Sequence, residues 1–246
     1  GKDTKVTLKE DQEVALGTWI ITDDKTSVRL LYPDNSQLFI GKNTKIHVTV
    51  HPKNKEVPVT TLNQGQARTL VTKSKDKAKT KFLMRTKSMV LAVRGTDFVT
   101  HANIEGKNEA RAHTLEGEVL VADPAKQDEI VAGGSGTPLK TDMEVRSVVG
   151  TIEAPKAFDR GAFLKMMNDM QPGFSVFQNK IPRQFNEIMK LKGAALEQTN
   201  LKLQQAQQQT AQGLQKSNTA LQQTNSTLKA LPVIPKTPSM PRIPGQ

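Results

Sequence analysis

From Val6 to Val131 the chain is cut into short, β-branched, alternating runs by turn residues recurring at intervals of about ten. Such spacing is the signature of many short antiparallel strands or of the rungs of a β-solenoid. Ser27–Leu31 and Gln37–Ile40 flank Tyr32-Pro33-Asp34-Asn35-Ser36, where proline presets φ and Asp/Asn tolerate a tight turn, giving a hairpin or a rung corner. Thr44–Val50 alternates with Ile46, Val48 and Val50 on one face, and Pro52 bars its continuation as a central strand. Phe98–Ala102 and Glu109–Leu115 bracket another turn at Asn103–Asn108. Gly117 and Gly133-Gly134 then punctuate a strand at Glu118–Ala122 and one ending at Val131.

Near Thr151–Pro155 the period changes from two toward three and four, which places a domain boundary at about residue 150. Phe158, Ala162, Phe163 and Met166/Met167 recur at helical spacing behind Asp159, predicting a short amphipathic helix over 157–170 within a linker region spanning 151–182. Residues 183–231 are rich in Gln, Asn, Thr, Lys, Ala and Leu. There Leu196, Leu203, Leu214, Leu221 and Leu228 form a thin stripe, spaced by sevens with one eleven, that resembles a coiled-coil seam with a stutter. A seam this narrow needs a partner to be stable, and the alternative on composition is a largely disordered polar tail. Residues 232–246 carry Pro232, Pro235 and Pro238 among further prolines and should be extended.

Only 36% of the 246 residues are hydrophobic and 4% aromatic, enough for one modest core. The net charge of +11 is uneven: residues 1–150 carry 23 Lys/Arg against 19 Asp/Glu, and 151–246 carry 12 against 5. A basic balance suits anionic polymers or acidic protein surfaces, but Trp19 and Tyr32, the single Trp and Tyr, sit in no Lys/Arg cluster, which argues against nucleic acid. With no cysteine, disulfides, thiol catalysis and Cys-based zinc sites are excluded. No apolar run reaches membrane-spanning length, the longest lying near Met89–Val93. A first residue of Gly rather than Met suits a processed secretory protein.

Met89–Val121 (MVLAVRGTDFVTHANIEGKNEARAHTLEGEVLV) resembles the periplasmic FecR-type domain, most clearly in Val93, Arg94, Gly95, Thr96, Asp97 and Phe98 (VRGTDF) and in the EGEV at Glu116–Val119. Leu30–Ile40 is similar to the family's hairpin, with Asn35 in place of the usual glycine. Thr61–Ala67 is similar to its "L-x-x-G-x-a" element, and Val131–Gly133 to its closing "aG". The resemblance covers roughly Val6 to Leu139. It implies a mainly β fold, either solenoid-like or an irregular sandwich over 1–150, followed here by the helical Gln-rich tail and the extended Pro-rich terminus. It also implies protein–protein contact in the envelope, which in the founding members relays a signal from an outer-membrane transporter to a sigma factor. No anti-sigma, transmembrane or small α/β signalling region is recognisable beside it. Within the motif, Gly95 supplies a tight corner, Thr96 and Asp97 are placed to bond backbone there, and Val93 and Phe98 point into the core.

Candidate chemistry is sparse. His47 and His51 lie four apart on a strand, and His101 and His113 face each other across a predicted hairpin near Glu109 without a third ligand in reach, so neither pair forms a metal set by spacing. Gly133-Gly134-Ser135-Gly136 lacks the Lys-Ser/Thr ending of a phosphate loop. No catalytic, cofactor or metal site is expected. Lys73, Lys75, Lys77, Lys79 and Lys81 alternate and would form a basic row on one strand face, either a guarded edge or a stripe for an acidic partner. The leading expectation is a non-enzymatic extracytoplasmic scaffold subunit of a bacterial envelope assembly, such as a flagellar basal-body ring or secretion apparatus, acting in a homo- or hetero-oligomer and contacting neighbours through the tail. The alternatives are a FecR-like signal-transducing regulator and a binder of peptidoglycan or another anionic polymer.

Overall fold

The computed structural model describes residues 5–73, 79–103, 106–148, 151–172 and 183–229; within the last range, side chains are described at 194 and 197–222. The chain divides into two units, Gly1–Ile181 and Pro182–Gln246.

The first unit is mainly β. In chain order its strands are β1 (Thr18–Ile21), β2 (Val28–Leu31), β3 (Gln37–Ile40), β4 (Lys45–Val50), β5 (Pro58–Leu70), β6 (Phe82–Arg85), β7 (Val90–Val93), β8 (Asp97–Ala102), β9 (Glu109–Glu116), β10 (Glu118–Ala122), β11 (Thr137–Lys140), β12 (Met143–Val148), β13 (Thr151–Ile152) and β14 (Lys156–Ala157). They join one curled sheet whose halves share the long strand β5. Its first part pairs with β4 and β6, and its second part with β3 and β8. The first half runs β1-β4-β5-β6-β7-β10-β11 and the second β2-β3-β5-β8-β9-β12, with β13 and β14 both paired to β12. Among the described ladders only β5–β6 is parallel. The stacked parallel rungs of a solenoid are therefore absent from the described residues, and the β expectation holds as a curled, largely antiparallel sheet.

The alternation read from the sequence builds the core. Ile46, Val48, Leu62, Phe82, Leu91, Val93 and Val119 from the first half meet Leu38, Ile40, Ala67, Phe98, Ala110 and Val145 from the second in one buried cluster. The hairpin at residues 32–36 forms as expected, with Leu31 opposite Gln37 and Asn35 at φ 65°, the left-handed conformation that the family's glycine would otherwise supply.

Every residue of β7, Val90 through Val93, is buried, because the second face of the strand is covered too. Val90 and Ala92 pack with Val57, Val59, Leu83, Ala122 and Ile130. Ile130 comes from α1 (Gln127–Val131), so the strand expected to end at Val131 is instead a helix. Its opening signal is Asp123-Pro124: the Asp123 carboxylate accepts from the Ala125 N–H at 2.8 Å, and proline occupies the first turn of a short 3₁₀ segment leading into α1.

The outer face of the second half is covered by α2 (Arg160–Met170), whose Phe163 and Met167 pack on Val99 and Leu115. Asp159 caps it, accepting from the Ala162 N–H at 2.9 Å. Asp159→Ala should lower stability by about 1 kcal/mol, read as a shifted urea midpoint with unchanged slope. Since β13, β14 and α2 all pack on the sheet, residues 151–172 belong to the β unit rather than to a linker. The division falls after Ile181 instead of near residue 150.

In the second unit, α3 (Arg183–Lys229) is one continuous helix of 47 residues. Leu203, Leu214 and Leu221 are exposed by 58%, 63% and 61%. The side chains of Leu196 and Leu228, and all of Pro232, Pro235 and Pro238, lie outside the described residues.

Candidate functional site

Strand β7 ends at Val93 in the first half and β8 starts at Asp97 in the second, so Arg94-Gly95-Thr96 is a crossing between the two halves. Gly95 adopts φ 132°, and a Cβ built there would lie 2.6 Å from the Lys73 Cα, closer than any side chain tolerates. Thr96 ties the crossing down: its hydroxyl donates to the Glu118 carbonyl at 2.9 Å, and its carbonyl accepts from the Val71 N–H. Val93 and Phe98 are fully buried in the core. Asp97 does not bond backbone as expected. It accepts two hydrogen bonds from the Arg68 guanidinium, at 3.0 and 2.7 Å, with the two side chains only 8% and 13% exposed. The backbone of a bend is served by Thr96 alone, because strand alternation turns Asp97 to the face that carries Arg68.

That same alternation places Val99 and His101 on the outer face of β8, beside His113 and Leu115 on β9. The imidazole rings of His101 and His113 are 5.5 Å apart, edge to face. Phe163 of α2 stacks on His113 at 4.2 Å, and Phe158 meets it edge-on at 5.1 Å. His113 Nε2 lies 2.7 Å from Glu144 Oε2 on β12. A carboxylate only accepts, so the proton sits on Nε2. Glu144 in turn holds Lys156 of β14 at 3.2 Å. His101 Nε2 and His113 Nδ1 are buried with no hydrogen-bond partner. Burial pushes His101 down to about 3, helped by the neighbouring His113 and Arg111. His113 is also lowered, burial outweighing the opposing pull of Glu144, with Arg111 and Lys156 adding to the decrease. The histidine pair was legible in the sequence, its carboxylate was not. Glu109, the expected neighbour, is instead held by Arg111 at 2.6 Å and Arg146 at 2.8 Å. The Arg146 hydrogen bond is the main cause of its carboxyl falling to about 2.

His47 and His51 serve separate neighbours. His47 stacks on Trp19 at 4.5 Å, with Lys45 over the indole at 4.9 Å. His51 is buried and bonds Asp128 of α1 at 3.0 Å, which Lys53 also contacts. The expected basic row is not a strand at the described positions, since β6 begins only at Phe82. Lys73 pairs with Glu116, Lys79 with Glu56 and Lys81 with Asp34; Lys75 and Lys77 lie outside the described residues.

Two surface features went unread in the sequence. β1 is an edge strand, hydrogen-bonded to β4 on one side, and it exposes Trp19 by 45% and Ile21 by 63%. A polar groove of about 560 Å³ is lined by Lys45, Asn63, Arg85, Lys87, Asn103 and Asn108, among others. Among the described residues no group of three or more His, Cys, Asp or Glu is placed to hold a metal ion, and no helix is long and apolar enough to cross a membrane.

A family model described as FecR protein matches residues 19–120. No curated protein matches the chain. Two crystal structures from Parabacteroides distasonis ATCC 8503, each of a protein described as a "putative anti-sigma factor", are similar to it. The first, at 2.50 Å resolution, shares 18% identity with a TM-score of 0.47 over 61% of this chain, which spans 64% of that one. The second, at 1.65 Å, shares 17% identity with a TM-score of 0.45 over 72% of this chain and 92% of the other.

Proposed function

We propose, from the match of residues 19–120 to the FecR family model, that this chain is the extracytoplasmic, non-enzymatic part of a FecR-like regulator, in which the curled sheet receives a partner protein and relays its presence. The family match carries this reading, since the motif that defines it is here a structural corner rather than a reactive centre. The exposed Trp19 and Ile21 on an open strand edge support a protein as the ligand, because backbone N–H and C=O groups there can pair with an incoming strand while the apolar side chains pack on it.

Removing the gene should change the transcripts of a small, discrete group of operons by about tenfold or more, a factor that corresponds to only about 1.4 kcal/mol in an equilibrium. An unchanged transcript profile would overturn the regulator reading.

The scaffold reading is second. It is favoured by the exposed Leu203, Leu214 and Leu221 of α3, a stripe that gains stability only against another surface. In that case loss of the gene leaves an assembly incomplete while transcription stays as before. Binding of peptidoglycan has less support, because the described lysines of the basic run are engaged by carboxylates.

A further inference from the structure

The outer face of the second half-sheet holds an unusual combination. Two imidazoles sit 5.5 Å apart beneath a helix, each with a ring nitrogen buried without a partner. Phe163 of the helix meets both rings and Phe158, just before the helix, meets His113; neither offers a hydrogen bond. We propose that α2 is an acid-released cover: protonation of His101 and His113 lifts it from the sheet and bares the apolar surface around Phe39, Val99 and Leu115.

The charges around the pair decide the direction. From β12, Glu144 contacts His113; from β14, Lys156 is already on Glu144. From β9, Arg111 is the cationic neighbour felt by both rings, while Glu109 is taken up by Arg111 and Arg146. On β5 and β8, Arg68 and Asp97 are engaged with each other. On α2, Arg160 bonds Asp142 and the Leu115 carbonyl, and Lys165 and Asp169 are exposed. One carboxylate thus faces two imidazoles and two further cations. It can compensate one imidazolium, and two charges 5.5 Å apart in a dry site repel.

What holds the cover is modest. Phe163 and Met167 supply the buried contact, Arg160 ties the first turn to Asp142, and Gln171 beyond the last turn accepts from the Lys42 N–H at 3.1 Å. An 11-residue helix has little stability of its own, so losing the contact frees it as a unit.

The sign follows from linkage. The covered imidazoles titrate below the ordinary value of 6.5, so the covered state binds fewer protons than the open one. Cover stability is complete above that value and is lost as the pH falls below it. Between pH 7.5 and 5.0 the opening constant rises about thirtyfold for one titrating histidine and about a thousandfold for two.

The test is hydrogen exchange of the full chain followed by mass spectrometry, corrected for the intrinsic pH dependence of amide exchange. Protection of residues 160–170 should drop at least about thirtyfold between pH 7.5 and 5.0 while that of β5 holds. In His101→Leu the drop should shrink by about thirtyfold, and in His101→Leu/His113→Phe it should disappear. Parallel loss of protection in α2 and β5, or an unaltered drop in the double variant, overturns the proposal. If the variants do not fold, the imidazole C–H resonances of the unaltered chain decide: midpoints near 6.5 for both rings with α2 still protected overturn it, and midpoints displaced downward support it. The cover operates without any FecR-type partner, so its failure leaves the regulator reading untouched, and the reverse also holds.

Discussion

Asp97→Ala should destabilise the β unit by about 3–5 kcal/mol, the cost of removing one partner from a buried ion pair. The Arg68 guanidinium keeps its place in the sheet, 8% exposed, and loses a carboxylate that met it with two hydrogen bonds. For a domain whose total stability is about 5–15 kcal/mol, this is enough to unfold much of the population near physiological temperature. Chemical denaturation followed by far-ultraviolet circular dichroism measures it. Asp97→Asn retains the shape and one acceptor and should lose less. Replacing the pair together, Arg68→Met with Asp97→Leu, should recover most of the loss, because two apolar groups leave no charge to solvate. A loss below about 1 kcal/mol for Asp97→Ala would show that water reaches the guanidinium and that the pair is not a buried element of the motif.

Gly95→Ala should cost about 3 kcal/mol or more. Two effects add: a non-glycine residue at φ 132° is strained by about 1–3 kcal/mol, and its Cβ would sit 2.6 Å from a backbone atom, the Lys73 Cα, which has no rotamer to escape into. The crossing between the half-sheets would have to open, and the Thr96 bonds to Glu118 and Val71 would weaken with it. Gly106→Ala is the control. It shares a positive φ of 73° but meets nothing within 4 Å, so it should lose only the conformational part, about 1–2 kcal/mol. Equal losses at the two positions would mean that the close approach to Lys73 carries no energy.

These two residues also show where sequence reading stops. Gly95 is legible as a corner, because a tight turn and the residue that permits it lie in the same few positions. Asp97 was given backbone partners, whereas its true partner lies 29 residues earlier on a strand that is its neighbour only after the sheet has closed. The histidine pair stood out because β8 and β9 are joined by a short turn, which sets their register locally. Glu144 belongs to β12, a strand whose place beside β9 the turn cannot dictate. The helix at Gln127–Val131 is not legible as one, since five residues are too few to show a period, although Asp123-Pro124 carries the signal for a helix start. The boundary near residue 150 followed a real change of period. The helix that begins there, however, packs back on the sheet through Phe163 and Met167. The alternation of the basic run suggests a strand, yet its described lysines all precede β6 and reach separate carboxylates.

The amino-acid sequence alone determined strands β2, β3, β4, β8, β9 and β10, the corners at Asn35 and Gly95 and the helical character of the second unit. All of these depend on residues within one turn or one strand of each other, through period, backbone sterics and capping. The order of strands was decided only by tertiary structure, and with it the partners Arg68 and Asp97, His51 and Asp128, and His113 and Glu144, set 29, 77 and 31 positions apart. Side chains so far separated meet only when the sheet curls to bury a common core, and burial acts on area without regard to which polar groups it brings together. The cover on the histidines and the ion pair beneath the motif are consequences of that closure.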